Sequence, residues 1–336
     1  MPAEIPSGAR LEIRITPADV GKRVSVRRLT GVADGHPTFT DTVGLLASWD
    51  AGVVYITRKS GETVRIVESS LVAGKVVPPA PARRGLAVPR VTAEELEEIA
   101  SRGWPAGETA RLGDWTLRAS GGFTRRANSV LVAGDPGVAL DDALAQVERW
   151  YAERRLPACL QVPDSSAWAQ RIDAAGWARE ADTLIRTAPL APLTSLPEPP
   201  AHLGRVRLSR DVDAAWLAAY HRTGELTDAA LKVVSGGASV WFATLPGAAG
   251  HPGPGAIGRA VVDGPWALFG AVEVPPEHRR GGLATALMGA LARRAYEEGA
   301  TAAHLQVEAD NAAARALYDR LGFTDHHGYH YRRPLA

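Results

Sequence analysis

The residues from Val272 to Thr285, V-E-V-P-P-E-H-R-R-G-G-L-A-T, set an acidic strand end, two arginines and two glycines in front of an apolar helical repeat. That order suits the capture of a phosphate-type anion. The run Trp266 to Val272 reads as a buried strand, and Pro275-Pro276 stops it because proline cannot donate to a ladder and restricts the residue before it. Arg279-Arg280-Gly281-Gly282 then turns into a helix in which Leu283, Leu287 and Leu291 recur at helical spacing up to Gly299. The first N–H groups of a helix lack internal acceptors, and the helix dipole adds partial positive charge there. The backbone from Gly281 and Gly282 through Leu283, Ala284 and Thr285 is therefore expected to grip a diphosphate. Glycine lets the chain approach it and adopt positive φ, while Arg279 or Arg280 adds a charged donor.

A second constellation follows. Leu305 to Val307 reads as a strand, Asp310 or Asn311 as a helix N-cap, Ala312 to Leu321 as the helix and Gly322 as its stop. Asn311 and Tyr318 are seven residues apart, which at 3.6 residues per turn brings them to nearly one face. Tyr318 can then supply a proton to a leaving group, or it is a half-buried packing residue. Glu273 alternates with Val272 and Val274 on a strand and faces the opposite side. Two readings stand for it, a general base in a pocket wall or a glutamate on a solvated face.

The spacing Arg279-x-x-Gly282-x-Ala284 resembles the acetyl-CoA pyrophosphate loop of the GNAT superfamily of acyltransferases, Q/R-x-x-G-x-G/A. Asn311 to Phe323 resembles that superfamily's N-x-x-A-x-x-L-Y-x-x-L-G-F element, in the expected order after the loop. The resemblance implies an α/β (α+β) acyl-CoA N-acyltransferase fold with acetyl-CoA as cosubstrate, and direct transfer to a primary amine in a ternary complex. It gives Tyr318 the role of general acid toward the departing thiolate and Asn311 a hydrogen bond to the pantetheine arm. Main-chain groups at Val272, Glu273 and Val274 would hold the acetyl carbonyl and pantetheine. An alkylammonium has an unperturbed pKa of about 10.4, so Glu273 or an ordered water must take a proton before attack.

Composition narrows the partners. The 336 residues carry 38 Lys plus Arg against 37 Asp plus Glu, so no global field recruits nucleic acid or an anionic membrane. The single cysteine, Cys159, excludes a disulfide framework and any multi-cysteine zinc site, and its apolar surroundings read as packing. No signal-like or membrane-length apolar run occurs, which points to a soluble, cytoplasmic protein. His326-His327-Gly328-Tyr329-His330 matches no zinc signature, so no metal site is expected and exposed histidines are the preferred reading.

Four segments are expected. Residues 8–77 read as five short strands: 11–15, 22–26, 42–46, 52–56 and 63–67. A turn at Ser60-Gly61 joins the last two, and the segment resembles the SH3-like modules of some actinobacterial GNAT proteins. Residues 78–91 open as a proline-rich linker. Thr92 with Glu95 is a capping-box signature that starts a third segment, 92–190, which echoes the fourth, 201–336. Leu160-Gln161-Val162 and Leu305-Gln306-Val307 are 145 residues apart, and Gly176 and Gly322 are 146 apart. The first copy has Gly134-Asp135-Pro136-Gly137 in place of the arginine-glycine loop and Ile172 in place of Tyr318. It reads as a degenerate GNAT-like half. Its polar segment Thr124 to Ser129 could face a cleft, with a solvated hairpin preferred.

The amine acceptor is expected to be a protein lysine, as in histone-type acetyltransferases, with the SH3-like domain docking a protein partner. A small-molecule amine is the alternative, because the C-terminal half is also similar to mycothiol synthases. A non-catalytic acetyl-CoA sensor is the third reading. Acceptor selection is placed at the amphipathic helix Asp211 to Tyr220, which carries Trp216, Leu217 and Tyr220, and at His221 to Asp228 after it.

Overall fold

The structure, a computed structural model, describes residues 12–33, 36–58, 62–77, 88–199, 204–220, 227–247 and 253–335. The chain divides into two compact units, Met1–Arg83 and Arg84–Ala336. The Ser60-Gly61 turn, the linker up to residue 87 and residues 221–226 of the expected acceptor-selecting stretch lie outside the described residues.

The first unit is a five-stranded antiparallel sheet of β1 (Arg23–Ala33), β2 (His36–Asp50), β3 (Val53–Thr57), β4 (Thr63–Val67) and β5 (Leu71–Val76), in the order β4-β3-β2-β1-β5. Alternation sends Val24, Val26, Leu46, Val54, Ile56 and Ile66 into one core. Gly44 is needed there, because a Cβ on it would meet the Thr57 carbonyl oxygen at 2.3 Å. The strand expected at 11–15 does not form. Its described part makes one bridge, Ile13 to Gly74, and a capping box at Thr16 with Pro17 turns the chain away. The fifth strand is instead Leu71–Val76, where Gly74 and Lys75 interrupt the apolar alternation.

In the second unit the first half runs α1 (Ala93–Gly103), β6 (Glu108–Leu112), β7 (Trp115–Ala119), β8 (Val130–Leu131), α2 (Leu140–Glu153), β9 (Leu160–Pro163), α3 (Ala169–Ala174) and β10 (Trp177–Pro189). The short α4 (Leu190–Leu193) leads to the second half. This comprises β11 (Arg207–Ser209), α5 (Ala214–Ala219), α6 (Asp228–Ser235), β12 (Ser239–Pro246), β13 (Pro254–Asp263), β14 (Trp266–Glu273), α7 (Leu283–Glu297), β15 (Ala302–Glu308), α8 (Ala312–Arg320) and β16 (Thr324–Pro334). Thr92 closes the expected capping box with Glu95 at the start of α1.

All eleven strands join one sheet, ordered β11-β12-β13-β14-β15-β10-β16-β9-β8-β7-β6. The repeat is visible in its pairings, since β8 lies parallel to β9 as β14 does to β15. The last strands of the halves are exchanged. β10 pairs with β15 and β16 pairs with β9, while β10 and β16 pair with each other along the middle. Each half therefore completes the other's sheet. Ile172 is fully buried in the first half's own core with Trp115, Val147 and Tyr151.

Another core joins the halves, with Trp104, Phe123 and Ala127 of the first packing on Trp216, Tyr220, Val233 and Phe242 of the second. Arg259 on β13 is fully buried beside it. It donates to the carbonyls of Val234 (2.6 Å), Gly103 (2.9 Å) and Gly236, at the C-terminal ends of α6 and α1. These carbonyls are the orphan acceptors of two helices, and a cation there also complements both dipoles. Burial pushes the guanidinium down to about 9, which leaves it protonated at neutral pH.

The histidines near the C-terminus are not exposed as expected. His330 is buried against Asp164 (2.9 Å), and His326 and His327 are half-buried, with His327 reaching Glu97 (3.3 Å). β16 is a central strand of the shared sheet, and that position encloses them.

Candidate active site

The site begins where two strands part. The parallel ladder of β14 and β15 ends at Phe269 opposite Leu305, although β14 continues to Glu273 and β15 to Glu308. On its other edge β14 bulges, since Arg259 faces Gly270 and Ile257 faces Glu273. Ala271 takes up the extra residue at φ 50°, an uncommon conformation for a non-glycine residue. Both strand ends consequently line a cavity of about 1130 Å³.

After β14, Pro275 and Pro276 start a single 3-10 turn through His278, and Gly282 caps α7 in the left-handed region at φ 78°. Gly281 is exposed with no positive φ, so only Gly282 requires glycine for its conformation. The first intrahelical bond is Ala286 N–H to the Gly282 carbonyl, which leaves the N–H groups of Leu283, Ala284 and Thr285 without helical acceptors. No side chain caps this end. Arg279 Nε donates to the Val274 carbonyl (3.1 Å), which ties the loop back to the strand end. Arg280 stands exposed at φ 63°.

Asn311 is the N-cap of α8, its side-chain oxygen accepting from Ala314 N–H (3.1 Å). That leaves its amide nitrogen as the donor for a ligand. Tyr318 is half-buried with its ring edge-on to Phe323 at 5.7 Å, so packing fixes its direction. Val272, Glu273, Val274, Arg279, Arg280, Gly282, Leu283, Ala284, Thr285, Asn311 and Tyr318 all line the one cavity, and Gly281 alone of the expected residues does not.

The sequence reading missed much of the remaining wall. Trp104, Thr183, Gln306, Tyr329 and Tyr331 also line the cavity, as do Thr124, Arg125 and Arg126 in place of the preferred solvated hairpin, whereas Tyr220 lines it from the helix expected beside the acceptor. Tyr329 and Tyr331 are two residues apart and so face one side of β16, a period-2 aromatic signal that was available. Tyr329 donates to Gln306 Oε1 at 3.0 Å.

Below the parting of the strands, His304 is buried edge-on against Trp266 at 5.7 Å. Burial, with Arg126 adding to it, pushes His304 down from 6.5 to about 3. Between those values the unfolded chain binds the extra proton, so stability falls as pH drops through that window. From pH 7 to pH 4.5 the protein should lose ~2–3 kcal/mol that a His304→Leu variant does not lose. Urea midpoints at the two pH values, compared between the two proteins, measure the difference.

The chain is similar to known proteins in both of its units. The family described as "Probable histone acetyltransferase Rv0428c C-terminal" matches residues 92–332, and the "Rv0428c N-terminal Sm-like domain" matches 18–75. A Mycobacterium tuberculosis relative named "Probable histone acetyltransferase Rv0428c" is 31% identical over 318 residues, 93% of this chain and 94% of its own. "Uncharacterized N-acetyltransferase YobR" of Bacillus subtilis is 27% identical over 266 residues, 71% of this chain and 97% of its own. A solved GCN5-related N-acetyltransferase from Kribbella flavida shares the fold with a TM-score of 0.54 at 16% identity, covering 73% of this chain and 96% of that one. Fold and relatives together define an N-acetyltransferase of the GNAT class. The chain belongs to the Rv0428c family, whose N-terminal sheet is Sm-like. No helix among the described residues is long and apolar enough to cross a membrane.

Proposed function

We propose that the protein transfers the acetyl group of acetyl-CoA to a primary amine in a ternary complex. The observation that carries this is the open N-terminus of α7, with Gly282 in the left-handed region and three successive N–H groups free of helical acceptors, beside the parted ends of β14 and β15. The diphosphate would lie on Gly282 to Thr285 with Arg279 or Arg280, and the pantetheine arm between the strand ends within reach of Asn311.

The neutral amine attacks the thioester carbonyl, a C–N bond forms, and the C–S bond breaks as the tetrahedral intermediate collapses. Main-chain donors of Val272 to Val274 would stabilise its oxyanion. The amine's proton passes to Glu273 directly or through water, and the thiolate takes one from Tyr318. Tyr318→Phe should leave acetyl-CoA affinity unchanged and lower kcat roughly 10- to 100-fold. Calorimetry and thiol-release kinetics across pH test this, and equal turnover of the two proteins at every pH would remove Tyr318 from the mechanism.

The duplicated organisation fits a division of labour. Residues 92–190 would have given up cofactor binding and supply part of the acceptor wall, while 201–336 hold the cofactor. The M. tuberculosis relative is named a probable histone acetyltransferase, which supports a protein lysine as one acceptor class, with the domain at 8–77 as a docking module. A small-molecule amine is the other, favoured by the buried donors of Arg126 and Gln306 on the cavity wall.

A further inference from the structure

Three residues without glycine's freedom, Thr124, Ala271 and Arg280, adopt positive φ at the rim of the same cavity. For Thr124, at φ 57°, the conformation is a true outlier because its side chain is β-branched. The loop that carries it is held by Asn128. The Asn128 amide donates to the carbonyls of Phe123 (2.7 Å) and Thr124 (2.8 Å) and accepts from the N–H groups of Ser120 (2.7 Å) and Gly122 (3.0 Å). Trp104 adds a bond to Thr124 Oγ1 at 3.0 Å. Such bonding fixes Arg125 and Arg126 against the cavity before any ligand arrives.

The two arginines differ in what they face. Arg125 pairs with Glu308 (3.1 Å) and lies over the Tyr331 ring at 5.3 Å. Arg126 makes no ion pair among the described residues, lies 5.8 Å over Trp104 and meets the Tyr329 hydroxyl, while its Nε is buried without an acceptor. Neighbouring buried arginines are satisfied by neutral groups: Arg118 by Ser129 and Gln161, and Arg259 by three carbonyls. Gln306, on the same cavity wall, also has a buried amide nitrogen with no acceptor, while its oxygen is taken by Tyr329. Buried donors without acceptors are costly, and two of them on one wall with a cation define an unfilled place for an oxyanion.

We infer that the acceptor is a small primary amine carrying an oxyanionic group, a carboxylate or a phosphate ester, that binds Arg126 and the Gln306 amide. The inference rests on the acetyl-transfer reading of the same cavity. A lysine side chain within a peptide brings four methylenes and no nearby anion, so it would leave both donors unfilled. A guanidinium and a primary amide at fixed positions instead suit the oxygens of one oxyanion, and the rejection of an analogue lacking that group would be strong.

The test follows thiol release from acetyl-CoA with L-amino acids, β-alanine and γ-aminobutyrate, with their carboxamides, with phosphoethanolamine, and with lysine peptides. The carboxylates or the phosphate ester should exceed the matched neutral amines in kcat/KM by about 30-fold or more, and whichever does identifies the oxyanion. Arg126→Gln should erase that ratio through KM for the acceptor. Arg126→Lys, which keeps the charge without the fork, and Gln306→Met should each reduce it in part, and they serve if Arg126→Gln does not fold. Equal use of amides and acids, a preference for lysine peptides, or an unchanged ratio in all folded variants overturns the inference. Calorimetry with acetyl-CoA alone comes first. If the wild-type protein does not bind it, the acetyl-transfer reading fails at that step and the inference falls with it; binding without acceptor preference sinks the inference alone.

Discussion

Replacing Gly282 with glutamate is expected to abolish measurable binding of acetyl-CoA, weakening it roughly 1000-fold or more, because like charges forced together cost several kcal/mol. The residue caps α7 at φ 78°, and a Cβ there would meet nothing within 4 Å. Crowding within the protein is therefore not the obstacle. A side chain in the left-handed region costs about 1–2 kcal/mol of backbone strain, which the fold should survive. The carboxylate would stand where the N–H groups of Leu283, Ala284 and Thr285 would meet a diphosphate, and it would both repel the ligand and engage its donors. Gly282→Ala separates the two effects, since it carries the strain without the charge and should weaken binding only about tenfold. Calorimetric titration, with thermal midpoints to verify folding, reads both variants. Near-normal affinity in the glutamate variant would mean the diphosphate binds elsewhere.

The largest loss of stability is expected from Arg259→Leu, about 3–5 kcal/mol in chemical denaturation. Three helix-end carbonyls depend on that one guanidinium, and leucine leaves them buried without donors. The same side chain lies 4.9 Å over Trp104, so the first half would also lose its seat on the second. A midpoint shift below about 1 kcal/mol would show that water or relaxation replaces those bonds. Because Trp104 lines the cavity, the cavity wall should loosen along with the fold.

What the sequence made legible was local. The loop from Arg279 to Thr285, the cap at Asn311 and the strand into Glu273 depend on neighbours a few residues away, and proline, glycine and helical spacing report such neighbours directly. The 145-residue echo likewise showed that two halves share a pattern. It held no information about which half each terminal strand would join, because alternation in β10 and β16 is satisfied by any partner that buries both faces. Much of the cavity wall was hidden for the same reason. Trp104, Arg126, Gln306 and Tyr331 are scattered over more than 200 residues, and only the shared sheet and the packing of Trp104 on Arg259 bring them together. Exposure was the natural reading of the histidines near the end of the chain because a polar run does not report its sheet neighbours, whereas a central strand encloses them.

The crossing of β10 and β16 has a consequence for biosynthesis. When the ribosome has released the first half, β9 still lacks the neighbour that completes it, and β10 has neither of its own, since both are encoded in the last thirty-five residues, from Ala302 to Ala336. A nascent chain thus waits with bare ladder edges, a condition that invites capture by another molecule of the same kind. Neither copy could be lost or traded as a cassette without leaving such an edge in its mate, so each half holds the other in place as its scaffold.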